Sequence, residues 1–107
     1  MEQNQSSLWK GCALQVKKGG TYELSYTVSI PPSCALETDF FLRCNTAILN
    51  QTIRHIRKQS GYRLTVLEHG EYDLEDNTKL VVDMLPSTHL ENLSSPICCS
   101  ISAKKLM

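Results

Sequence analysis

The stretch KKGGTYELSYTVSI, residues 17–30, alternates without a slip from Thr21 onward. Apolar Tyr22, Leu24, Tyr26, Val28 and Ile30 are separated by Glu23, Ser25, Thr27 and Ser29. Successive side chains of a strand leave opposite faces, so the pattern predicts a strand with one dry face and one wet face. Its aromatic and β-branched residues suit a pleated surface. Gly19-Gly20 supplies a turn that tolerates positive φ, and Pro31-Pro32 removes two backbone donors and ends the ladder.

The same period of two recurs on both sides of this strand. Cys12, Leu14 and Val16 share a phase, as do Phe40, Leu42 and Cys44; Tyr62, Leu64 and Val66; Leu80, Val82 and Met84; and Ile97, Cys99, Ile101 and Ala103. HGE at 69–71 and EDNT at 75–78 read as turns between strands. Short strands separated by turn chemistry in 107 residues predict a single all-β domain, residues 1–107, with 1–8 as a flexible N-terminal segment. Residues 45–58 resist this reading. Ile48, Leu49, Ile53 and Ile56 fit one face of a helix at least as well as a strand.

Eleven Lys and Arg balance eleven Asp and Glu, so the formal net charge is zero. That balance leaves no electrostatic footprint for nucleic acid or anionic lipid, and the cluster Arg54, His55, Arg57 and Lys58 reads as a solvated face. No apolar run approaches the length of a membrane span, and the N-terminal residues lack the cationic-then-apolar pattern of a signal peptide. Without that signal, the glycosylation triplets at Asn4, Asn50 and Asn92 read as chance matches.

The candidates for chemistry are few. Five cysteines, Cys12, Cys34, Cys44, Cys98 and Cys99, show neither a Cys-x-x-Cys pair nor Cys/His zinc spacing, so no metal is expected from them. Cys44 and Cys99 share the phase of apolar neighbours and are expected to be buried and reduced. Cys98 must leave the opposite face, as an outward thiol available for an intermolecular cross-link. His55, His69 and His89 are scattered without ligand spacing. Asp73, Glu75, Asp76 and Asp83 read as a solvated acidic turn, with a calcium site as the alternative, although EF-hand spacing is missing. No nucleophile elbow or phosphate-cradling loop is present, so neither an enzyme nor a bound cofactor is expected. Trp9, Phe41, Val81 and Leu85 fall out of phase with the core pattern. A bulge explains any one of them; four together favour a buried subunit interface.

Four motifs carry a family resemblance. GGTYELSYTVSI (19–30), FLRCNTAI (41–48) with LEDNTKLVV (74–82), and the closing ISAKKL (101–106) resemble, in order and separation, the globular heads that follow collagen-like stalks in exosporium glycoproteins of spore-forming bacteria. Such heads are trimeric jelly rolls similar to the tumour-necrosis-factor and complement-type heads. The resemblance implies a jelly-roll β-sandwich, a strand over residues 52–57, a homotrimer, and a non-enzymatic structural role at a spore surface or other extracellular face, alongside other surface-layer proteins. The alternative reading is a receptor-binding or adhesion head, as at the tip of a phage fibre.

Overall fold

The computed structural model describes residues 9–85 and 97–106. Among the described residues nine strands follow in chain order: β1 (Trp9–Lys10), β2 (Cys12–Val16), β3 (Gly20–Ile30), β4 (Leu36–Cys44), β5 (Ala47–Ile48), β6 (Arg54–Lys58), β7 (Leu64–Leu74), β8 (Thr78–Met84) and β9 (Ile97–Lys105). One sheet has the order β1-β9-β3-β7. The other runs β2-β8-β4, and β5 and β6 share the far edge of β4. The chain changes sheet at almost every connection, which is the weave of a jelly-roll sandwich.

Strand β3 sits between β7 and β9 and places its apolar residues as the alternation predicts. Leu24, Tyr26, Val28 and Ile30 are at most 1% exposed and face Phe40, Leu42, Leu80 and Val82 of the other sheet. At the start of β3, Gly20 takes φ 148°, and Gly19 has no room for a side chain, because a Cβ there would lie 2.6 Å from the Leu74 carbonyl oxygen.

Several expectations need correction. HGE at 69–71 is not a turn: β7 runs straight through it, with Gly70 paired to Leu24. Gly70 is small because the Tyr72 ring lies over it, within 3.0 Å of a built Cβ. Tyr62 is not in a strand; it precedes β7 and is 48% exposed. Residues 45–58 form neither one helix nor one strand. A single 3-10 turn, Asn50–Thr52, separates β5 from β6, so the strand implied over 52–57 is observed over Arg54–Lys58.

That turn is fixed from the opposite sheet. The Tyr26 hydroxyl donates to the Thr52 carbonyl at 2.8 Å and to the Phe40 carbonyl at 3.3 Å. Thr52 Oγ1 donates to the Leu49 carbonyl at 2.6 Å and accepts from the Leu42 amide at 2.9 Å. A helix here would have satisfied its own backbone groups; the network satisfies them in a bulge instead.

Lys58 also departs from the solvated face expected of its cluster, being 2% exposed. It points inward because β6 alternates, and its ammonium donates to the Cys34 and Gln59 carbonyls, each at 2.8 Å, while lying 4.6 Å from the Tyr62 ring centroid. Hydrogen bonds and a ring face replace the lost hydration of the charge. Cys34 itself is 1% exposed, so Lys58 pins the loop between β3 and β4 onto β6.

Two predictions follow from these ties. Tyr26→Phe, which leaves a buried carbonyl unanswered, should lower unfolding free energy by about 1–3 kcal/mol in urea titrations. Burial is the main cause that pushes the Tyr26 hydroxyl up to about 12, so the unfolded chain ionises first. Its contribution to stability is full below pH 10, the ordinary tyrosine value, and falls as pH rises toward about 12; the Phe variant should lose less stability over that window. Lys58→Met, which keeps the stem and removes the donors, should destabilise by about 2 kcal/mol in the same assay.

Candidate functional site

The outer face of the β2-β8-β4-β6 sheet gathers charge around one histidine. Cross-strand pairing sets His55 of β6 opposite Asp39 of β4, with Glu37 two residues along on the same face. His55 Nδ1 lies 2.6 Å from Asp39 Oδ1, and Nε2 lies 3.0 Å from Glu37 Oε2. The hydrogen bond to Asp39, and then that to Glu37, raise the pKa of His55, since both carboxylates favour its charged form. An open recess of about 370 Å³ beside it is lined by Ala35, Leu36, Glu37, Arg57, Lys58 and Gln59. A histidine held at both nitrogens is neither a free base nor a free ligand. It is a proton-sensitive clamp between two strands.

The four out-of-phase apolar residues are divided between the two sheets. Phe41 does point away from the core, but it is 2% exposed within the single chain, so its expected exposure is corrected. The Arg43 guanidinium lies over its ring, 5.3 Å from the centroid, and is held there by Asp83 at 2.9 Å. Val81, opposite Arg43, is half-buried on the same face, and Leu85 is 46% exposed just past β8. Trp9 belongs to the other sheet, where it pairs with Ile97.

A different pair of exposed apolar residues lies along β7 and just before β6. Leu67, on the solvated face of β7, is 61% exposed, and Ile53 is 40% exposed. Ile53 precedes Arg54, whose guanidinium reaches Glu68 at 3.2 Å and the Leu67 carbonyl at 3.4 Å. Leu67 is apolar in a polar phase, which is the signal that could have found it.

The acidic turn disperses. Asp73 accepts from the Thr21 hydroxyl and Asp76 from the Gly19 amide, both at 2.6 Å, while Asp83 faces Arg43 on the other sheet. Among the described residues, no group of three or more His, Cys, Asp and Glu could hold a metal ion. His69 is exposed on β7, and His89 lies outside the described residues, as do Asn4 and Asn92. Cys98 is exposed; Cys44 and Cys99, expected to be buried, are half-buried, and none of the five cysteines is in a disulfide. Burial pushes up the Cys34 and Cys44 thiols. No helix among the described residues is long and apolar enough to cross a membrane.

No family model matches this chain, and neither a characterised protein nor a solved structure shows significant similarity to it.

The clamp makes a prediction with a definite sign. His55 should titrate above 6.5 in the folded protein by NMR, and Asp39→Asn should bring it back toward that value. Because the folded value is raised, the stabilisation is complete below pH 6.5 and is lost as pH rises through the folded value.

Proposed function

We propose that this chain is a non-enzymatic assembly and display module, a homotrimeric jelly-roll head of a surface layer such as that of a bacterial spore. The observation that carries the reading is the open side of the sandwich. Strand β7 is an 11-residue terminal strand of its sheet, with Leu67 exposed on it and Ile53 exposed nearby. Long edge strands invite association, and on this one Leu67 stands exposed among the polar residues Thr65, His69, Glu71 and Asp73. Arg54 covers one β7 carbonyl, leaving the apolar side chains for a neighbouring copy. Trp9, Val81, Leu85 and outward Cys98 then serve contacts with other surface-layer proteins, while Phe41 is given to the chain's own packing.

A second reading, an adhesion head, draws support from the rest of the outer face on which Leu67 lies, where Leu67 pairs with Thr27. Ser25, Thr27, Ser29, Thr65, Ser100 and Ser102 share the polar phase of β3, β7 and β9, with Ser25 and Ser102 hydroxyls 2.6 Å apart. Such a flat hydroxyl surface suits sugar or polar protein ligands.

Sedimentation equilibrium tests the first reading. The protein should run at three times its 12.1 kDa chain mass at micromolar concentration. Leu67→Asp, exposed and therefore tolerated by the fold, should shift it toward smaller species, since each buried leucine contributes roughly 1.5–3 kcal/mol. A monomeric parent overturns assembly, and a dimer overturns the trimer.

A further inference from the structure

We propose that Cys12 and Cys99 are a redox couple, closed to a disulfide that staples the two sheets when the protein meets a low-molecular-weight disulfide. Backbone register brings them together. Parallel pairing sets Trp9 opposite Ile97 and Lys10 opposite Cys98; the chain then leaves the first sheet at Gly11 and enters the second at Cys12. Cys99 is the residue after Cys98, so the crossover delivers Cys12 beside it. Each has a fully buried valine for its neighbour, Val82 for Cys12 and Val28 for Cys99, and both thiols pack against the core from its rim.

The separation is that of a corner, not of two stacked faces. Cα atoms of β2 and β9 approach within 8 Å, whereas packed sheets stand about 10 Å apart. The Cys99 sulfur is in hydrogen-bond contact with both the thiol and the main chain of Cys12. A disulfide needs Cα atoms about 4.4–6.8 Å apart, so closure requires the two strands to meet at this corner and not across the stacked faces. Both residues are half-buried, so a small reagent meets them at the rim, and Cys98 leaves on the opposite, solvated face and takes no part in ring closure.

The chemistry balances as two exchanges. The Cys12 thiolate attacks one sulfur of the external disulfide, forming a mixed disulfide and releasing one thiolate. Cys99 then gives up its proton and its sulfur attacks the Cys12 sulfur, expelling the second thiolate. The protein loses two electrons and two protons, and the reagent leaves as two thiols. Burial pushes the Cys99 thiol well above the ordinary cysteine value, with the Cys12 contact adding to it, which gives Cys99 the closing step. Closure ties residue 12 to residue 99, nearly the whole chain, where a cross-link restricts the unfolded state most.

The test treats the purified protein with oxidised glutathione and maps peptides under non-reducing conditions. The expected product is an intact chain lighter by two hydrogens, with one peptide joining Cys12 to Cys99 and a melting temperature higher by on the order of 10 °C. Dithiothreitol should reverse all three. Cys98→Ser should form the same product, and Cys12→Ser should not. Should Cys12→Ser fail to fold, the peptide map of the parent decides alone. Lasting glutathione adducts without ring closure, or a map in which Cys98 bridges two chains while Cys12 and Cys99 stay reduced, overturns the couple.

Discussion

Tyr26 is 1% exposed at the centre of β3, and its hydroxyl has to find an acceptor inside the sandwich, where an unmade hydrogen bond costs about 1–3 kcal/mol. The acceptor is the Thr52 carbonyl, on a turn that belongs to the other sheet. Once that turn is held, Thr52 can answer the Leu42 amide with its side chain, in a place where no strand neighbour does so. Strand β4 is thereby served along one edge by two short strands in succession, β5 and β6. The position of β6 in turn brings His55 against Asp39 and turns Lys58 inward. One phenolic oxygen thus sets both the charged clamp outside and the buried ammonium inside.

Much of this fold is written in the period of two. Tyr22 to Ile30, Leu80 with Val82, and Ile97 point where their spacing says they point, because a strand has only two faces and one of them is dry. The reading failed where a residue's role is set by contacts that the period of two does not record. Gly70 looked like punctuation, yet it is a space left for the Tyr72 ring in the middle of a strand. Lys58 looked solvated because its acceptors, the carbonyls of Cys34 and Gln59, leave no mark on side-chain pattern. Residues 45–58 carried helical spacing that a distant tyrosine overrides.

The candidate sites were less legible for a related reason. His55, Asp39 and Glu37 lie on two strands, so their convergence is a fact of register and not of spacing. Cys12 and Cys99 sit at opposite ends of the chain and meet only because the first crossover occurs beside the last strand. Phe41 shows the opposite failing. Its phase is outward as read, but Arg43 and Asp83 make the outer face a packed surface in its own right. Among the described residues, no buried side-chain nitrogen or oxygen lacks a hydrogen-bond partner, so polar groups are as closely fitted here as apolar ones.

The parallel pairing of β1 with β9 has a mechanical consequence. The chain enters the sandwich at the Ile97 end of β9 and leaves it past Lys105, about 26 Å away along the strand at about 3.3 Å per residue. Tension drawn between these two points runs along the strands. It loads the β3–β9 ladder from Tyr22–Lys105 to Ser29–Cys98 in shear, so its hydrogen bonds resist together and do not open one after another. A domain anchored at one end and pulled at the other would meet force with its longest shared ladder on that side, and the corner between Cys12 and Cys99 lies at the point where that load enters.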